Sequence, residues 1–179
     1  MILVFAEESL CHFLERKRGA IERVLGAKLP QACLEVLKAS GIHETWKMLE
    51  VPGKKKEELE KETMRHFLSD EDLLLLDEPV SGATETLNLL SKKHEIVYLS
   101  KTEKLPRFLS KYGFPRGRIF TSPDAIFENY KKNKLIFTGV PGAKNFGVRS
   151  VGISQREDVG YDVVVEDISR VPHAVKLIK

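Results

Sequence analysis

Two adjacent carboxylates, Glu7 and Glu8, follow directly on an unbroken apolar run, Ile2-Leu3-Val4-Phe5. Paired acids at the end of a strand are the residue types that proton transfer to and from a reacting group requires. The same acids are also what the first turn of a helix favours through its dipole, with no chemistry implied. Ser100 ends a second apolar run, Ile96–Leu99, and Glu166-Asp167 ends a third, Val163–Val165. Gly139 to Lys144 is a glycine-bearing turn whose backbone N–H groups suit an anion. It lacks the GKS/T ending of a phosphate loop, so a plain tight turn accounts for it as well. The histidines His12, His43, His66, His94 and His173 show no ligand spacing, and Cys11 and Cys33 form neither a CxxC pair nor a zinc pattern.

A strand-and-helix alternation must position these residues. Ile2–Phe5 is short and rich in branched side chains, which reads as a buried strand of a parallel sheet. Ligands gather just past the carboxyl ends of such strands, so Ala6-Glu7-Glu8-Ser9 occupy the place of a site. From Leu10 to about Asp77 every signal is helical. Pro30 opens a helix and Gly41 stops it, a further helix over Ile42–Glu50 carries Trp46 and Leu49, and Ser69 with Asp72 has the spacing of a capping box. From Pro79 strands and helices alternate. Strands are expected at Ile96–Leu99, Ile119-Phe120, Leu135–Phe137, Val151–Ile153 and Val163–Val165. Helices are expected over Ala83–Leu90, Leu105–Tyr112 and Pro123 to about Lys132, and at Ile168–Val175. Strand followed by helix in turn means a parallel sheet, so the fold class is α/β, a Rossmann-like parallel sheet with an all-helical block inserted after the first strand. The expected division is 1–9 with 78–179 for the α/β part and 10–77 for the helical part.

With 179 residues and 42% hydrophobic content, the chain can bury a core for one domain plus a modest insertion. Its 29 basic and 26 acidic residues nearly balance, which does not advertise a nucleic-acid or anionic-membrane partner. The basic runs Arg16-Lys17-Arg18, Lys54-Lys55-Lys56 and Lys131-Lys132 with Lys134 lack interleaved aromatics and read as solvated faces. Two cysteines are too few for a disulfide framework, and the first apolar run is too short for a signal or membrane helix. These features place the protein in the cytoplasm.

The strand, the acidic turn and the helical block resemble the haloacid dehalogenase (HAD) superfamily, whose first motif is hhhhDxDGT. Set on that motif, Ala6 falls on the Asp nucleophile and Glu8 on the second Asp. Val80 to Leu87 is similar to the family stretch P-G-x-x-E-x-L, and Ser100 lands on the residue that hydrogen-bonds the phosphate. Ser122-Pro123-Asp124-Ala125-Ile126-Phe127 resembles K-P-D-P-x-I-F, with Ser122 standing where the phosphate-neutralising Lys belongs. Ile136 to Ile153 is similar to the fourth motif and its tail, with Val140 in the place of an Asp that holds Mg²⁺. Tyr161 to Ser169 resembles the closing segment, and 10–77 resembles the helical cap of many members.

The resemblance implies the family scaffold without the family's charges. Loss of any one of these charges favours loss of the rest, because a buried ion without its partners is costly. It implies a catalytically degenerate, HAD-like pseudo-phosphatase, not an enzyme, that binds a small ligand or pairs with another chain. No catalytic role is expected at the family positions Ala6, Glu8, Ser100, Ser122 and Val140. Ligand contacts are expected from Glu7, Glu8, Ser100, Lys101 and Gly139, with no metal and no cofactor. The partner expected is a small anionic ligand or a protein, and neither nucleic acid nor membrane. The alternative is a divergent HAD phosphohydrolase in which Glu8, Ser100 and Glu166-Asp167 rebuild a site and Mg²⁺ is required.

Overall fold

The computed structural model describes residues 1–102, 105–140, 142–153 and 160–178. In chain order the elements are β1 (Ile2–Ala6), β2 (Cys11–His12), α1 (Leu14–Leu25), α2 (Gln31–Met48), α3 (Lys56–Ser69), α4 (Glu71–Leu74), β3 (Glu78–Pro79), α5 (Ala83–Ser91), β4 (Glu95–Leu99), α6 (Leu105–Lys111), β5 (Arg118–Phe120), α7 (Pro123–Asn129), β6 (Leu135–Thr138), β7 (Arg149–Ile153), β8 (Val163–Val165) and α8 (Val171–Leu177). The chain falls into two compact units, Met1–Cys11 with Pro79–Lys179, and His12–Glu78.

In the first unit a six-stranded sheet has the order β5-β4-β1-β6-β7-β8, and every neighbouring pair is parallel. All five residues of β1 are buried, which is why its apolar run does not alternate with polar residues. Strand β1 lies between β4 and β6, with Ala6 opposite Leu99 and Phe5 opposite Thr138. The chain builds outward to β5 on one side of β1, then crosses to β6 and builds outward on the other. The strand order therefore reverses at β1, and the crevice past its carboxyl end is where open α/β sheets carry ligands. The helix opened by Pro123 stops at Asn129, short of Lys132, because Tyr130 turns extended and packs edge-on against Phe120 at 6.1 Å between ring centres.

The second unit is helical. Ile21, Leu37, Trp46 and Leu59 form one buried cluster, and Ala20, Phe67 and Leu73 form another. Gly41 interrupts α2 at φ 84° and ψ −171°, in the left-handed region that glycine favours, so two helical stretches meet there as its position in the sequence implies. Three expectations need correction. The stretch from Leu10 is not wholly helical, since Cys11–His12 pairs as a short strand with Glu78–Pro79, and the Val80 N–H donates to the Leu10 carbonyl at 2.8 Å. The capping box does not form: α3 runs on through Ser69, whose hydroxyl donates back to the Arg65 carbonyl at 2.6 Å, while Asp72 pairs with Arg23. Arg16 does not belong to a solvated face. It is 0% exposed, its Nε lies 3.1 Å from Asp77 Oδ1, and its guanidinium stacks over the rings of Phe13 and Phe67 at 4.6 and 4.1 Å.

The helical unit also carries a pH dependence. Burial pushes the Asp70 carboxyl up, but the His66 hydrogen bond at 2.8 Å and the Arg23 pair outweigh this and hold it below the usual carboxylate range. A lowered carboxylate pKa stabilises the fold above the unfolded-state value of 3.8, and the benefit disappears as pH falls through the folded value. Denaturation of Asp70→Asn is therefore expected to show a shallower loss of stability on acidification than the parent. Identical acid sensitivity in the two would remove Asp70 from the balance.

Candidate functional site

The ends of β1, β4, β5 and β6 bring the candidate residues together. Ala6, the last residue of β1, is 3% exposed, and Val140, two residues past β6, is 6% exposed. Both belong to one hydrophobic cluster with Val97, Ile126, Phe137 and Ala143. The two positions at which the resemblance calls for carboxylates thus present methyl groups to each other's apolar surroundings. Gly139, between the end of β6 and Val140, is held at φ +69°, and a Cβ there would lie 2.7 Å from the Cβ of Ser9. Its N–H donates to the Val151 carbonyl at 3.0 Å, so a side chain is excluded both by backbone conformation and by the close approach of the turn after β1.

That turn is a short 3-10 helix, Glu7–Ser9, in which Ser9 Oγ donates to the Ala6 carbonyl at 2.7 Å and the Leu10 N–H to the Glu7 carbonyl at 2.9 Å. Glu7 is buried and Glu8 exposed. Because Ala6 pairs in register with Leu99, the next residues, Glu7 and Ser100, face one another across the strand ends. The buried Ser100 hydroxyl donates to Glu7 Oε2 at 2.5 Å and accepts from the Thr102 N–H at 2.9 Å. Its own N–H donates to the Phe120 carbonyl at 2.9 Å. A serine hydroxyl has one proton to donate, and here it is donated to Glu7.

Ser122 has a different task from the one its alignment implies. It caps α7: its Oγ accepts from the Ala125 N–H at 3.3 Å, and Pro123 fills the first helical position. Ser122→Ala is expected to cost about 1 kcal/mol of α/β-unit stability, as loss of a serine cap does. Urea denaturation measures this, and an unchanged midpoint would refute the capping role.

A cavity of about 270 Å³ opens at these strand ends, lined by Ala6, Glu8, Leu99, Ser100, Lys101, Thr121, Pro123, Gly139 and Val140. Glu8, Lys101 and Thr121 are exposed, whereas Ala6, Ser100 and Val140 are buried. Of the residues expected to contact a ligand, Glu8, Ser100, Lys101 and Gly139 line it, while Glu7 stands behind Ser100 as its hydrogen-bond partner. Thr121, the first residue after β5, was not singled out by its type. Its place at the carboxyl end of a strand was the available signal. Glu166 and Asp167 do not join the group. They follow β8, three strand spacings from β1, about 14 Å at roughly 4.8 Å per strand. The exposed Asp167 carboxylate is occupied by the Ser169 N–H at 2.8 Å, a contact that, with the Ser169 hydroxyl, holds its pKa below the usual range.

A larger hollow of about 590 Å³, lined by Lys132, Leu135, Lys144 and Arg149 among others, lies by the amino ends of β6 and β7, the edge opposite to the one that carries ligands in such sheets. Among the described residues no helix is long and apolar enough to cross a membrane.

No family profile and no curated protein matches this sequence. Solved structures do match. A HAD-superfamily hydrolase of subfamily IA from Geobacter sulfurreducens superposes with a TM-score of 0.68 at 13% identity, over 99% of this chain and 96% of the other. A HAD hydrolase from Bacillus subtilis bound to magnesium gives 0.64 at 11% identity over 98% of each chain. A β-phosphoglucomutase from Clostridium difficile gives 0.61 at 15% identity over 99% of this chain and 96% of the other. The fold is HAD-like. Phosphatases and hydrolases of that superfamily are thus its structural neighbours.

The HAD resemblance brings with it a Mg²⁺ ion, and the cavity's donors do not fit one. Magnesium demands near-octahedral oxygen ligation, usually with one or two carboxylates and several waters. Among the described residues the cavity lining supplies one carboxylate, the exposed Glu8, and places carbon at Ala6 and Val140 where the other acids would stand. The nearest buried carboxylate, Glu7, is turned to Ser100.

Proposed function

We propose that this chain is a noncatalytic HAD-fold protein, a pseudo-phosphatase whose cleft binds a small molecule and does not hydrolyse phosphate esters. The observation that carries the reading is the burial of Ala6 and Val140 in one hydrophobic cluster. Attack on phosphorus by this architecture needs a carboxylate at position 6, and a methyl group has no electron pair to offer. Removing a catalytic nucleophile costs several powers of ten in rate, and among the described residues the cavity lining has no thiol, histidine or second acid to substitute for it. The helical unit takes the place in chain order that a cap domain takes in this superfamily. Cys11 and Cys33, both buried and outside any disulfide, suit a reducing compartment such as the cytoplasm.

The purified chain is expected to release no p-nitrophenol from p-nitrophenyl phosphate above the buffer blank, with or without Mg²⁺. Turnover that requires Mg²⁺ and vanishes in Glu8→Gln would overturn the proposal in favour of a rebuilt hydrolase.

A further inference from the structure

We infer that the cavity at the ends of β1, β4, β5 and β6 selects a small, uncharged, predominantly apolar molecule, in place of the anion that the HAD resemblance implies. The inference rests on the noncatalytic reading above and adds the class of ligand.

The walls argue for it first. Ala6, Leu99, Pro123 and Val140 offer carbon, and Ala6 and Val140 continue into the hydrophobic cluster beneath. Carbon surface of this kind favours an apolar guest over water. The volume, about 270 Å³, sits at the lower end of the range of about 300–1,000 Å³ for ligand pockets, which suits a molecule of one or two fused rings or a short branched chain.

The polar groups argue against an anion. Tight binding of a phosphate or carboxylate relies on several charge-assisted donors aimed at it. The Ser100 hydroxyl already donates to the Glu7 side chain. The Ser122 oxygen is taken by the Ala125 N–H, in the position where the family motif has a cation. At the rim the exposed side chains of Glu8 and Lys101 carry opposite charges, so the charges of the described lining offset each other. What remains is a wall of carbon with hydroxyl oxygens at Ser100 and Thr121, able to meet a single polar group on the guest.

The test is amide NMR of the isotope-labelled full chain, titrated with indole and, separately, with inorganic phosphate at the same few-millimolar concentrations. The expected result is saturable indole shifts at the amides of Ala6, Ser100, Thr121 and Gly139, with phosphate leaving them unmoved. Thr121→Trp, at an exposed position that tolerates bulk, should weaken indole by about tenfold or more, and Ala6→Leu should do the same from inside the cavity. Absence of indole shifts, phosphate shifts at those amides instead, or indole binding untouched by both variants would each overturn the inference. Phosphate-ester turnover by the parent chain would defeat the noncatalytic reading itself. A chain inert to esters and unresponsive to indole defeats only the ligand class.

Discussion

Ala6→Asp is expected to lower the stability of the α/β unit by about 4 kcal/mol near neutral pH and to leave phosphate-ester hydrolysis at background. The substitution restores the residue type of the HAD nucleophile, yet it places a carboxylate at a 3% exposed position against Val97, Ile126, Phe137 and Val140. Among the described residues nothing buried there favours the charged form: Glu7 follows directly in the chain, and Lys101 is exposed at the rim. Burial raises a carboxyl pKa, and a rise of about 3 units at about 1.4 kcal/mol each gives the stated loss. Since stabilities of domains run to about 5–15 kcal/mol, the variant should lie near the threshold of folding. The sign of the pH dependence checks the cause. With the folded pKa above the unfolded one, the native state binds the extra proton, so the penalty grows as pH rises from the unfolded value through the folded value and shrinks toward about pH 4. Urea denaturation of parent and variant at about pH 7 and about pH 4 measures both effects. A variant as stable as the parent, or one that Mg²⁺ stabilises strongly, would mean that the strand ends still hold a cation and that the hydrophobic account of the site is wrong.

How much of this was legible in the sequence depends on the range of the interaction concerned. The sheet was legible because each strand is a local apolar run bounded by turn residues. Ile2–Ala6 and Leu135–Thr138 signal two-sided burial without reference to any other part of the chain. Gly41 was legible for the same reason, since its backbone conformation is a property of glycine itself. Arg16 was not. Its burial depends on Asp77, sixty-one positions away, and on Phe67, so its charged neighbours Lys17 and Arg18 made it look like part of a solvated face. The Glu7–Ser100 contact joins residues ninety-three apart and becomes visible only once Ala6 is known to stand opposite Leu99. Ser122 shows a third kind of failure. Alignment to a motif asked which charge was missing, whereas Ser-Pro before a helix is by itself a complete capping signal that needs no active site to explain it.

In the helical unit, Trp46→Ala is expected to remove about 3–5 kcal/mol, the usual cost of emptying a large aromatic site. Trp46 is the chain's single tryptophan and is 0% exposed, packed with Ile21, Leu37 and Leu59. Its indole N–H donates to Thr63 Oγ1 at 3.0 Å, and that hydroxyl donates in turn to the Leu59 carbonyl at 2.8 Å. The ring therefore fills the space among α1, α2 and α3, and its one polar atom has a partner, the condition for a tryptophan to be buried at no polar cost. Trp46→Phe keeps most of the volume, loses that hydrogen bond, and is expected to cost roughly half as much. The comparison separates packing from polar satisfaction: nearly equal losses for Ala and Phe would assign the stability to the Thr63 contact, while a Phe variant close to the parent would assign it to volume alone. In the parent, indole fluorescence reports on this unit only. A denaturation midpoint seen by fluorescence that differs from the one seen by backbone circular dichroism would show that the helical unit and the sheet unfold as separate cooperative bodies. Coincident midpoints in the parent, with the circular-dichroism midpoint lowered in Trp46→Ala, would show that loss of one aromatic ring in the helical unit is felt by the whole chain.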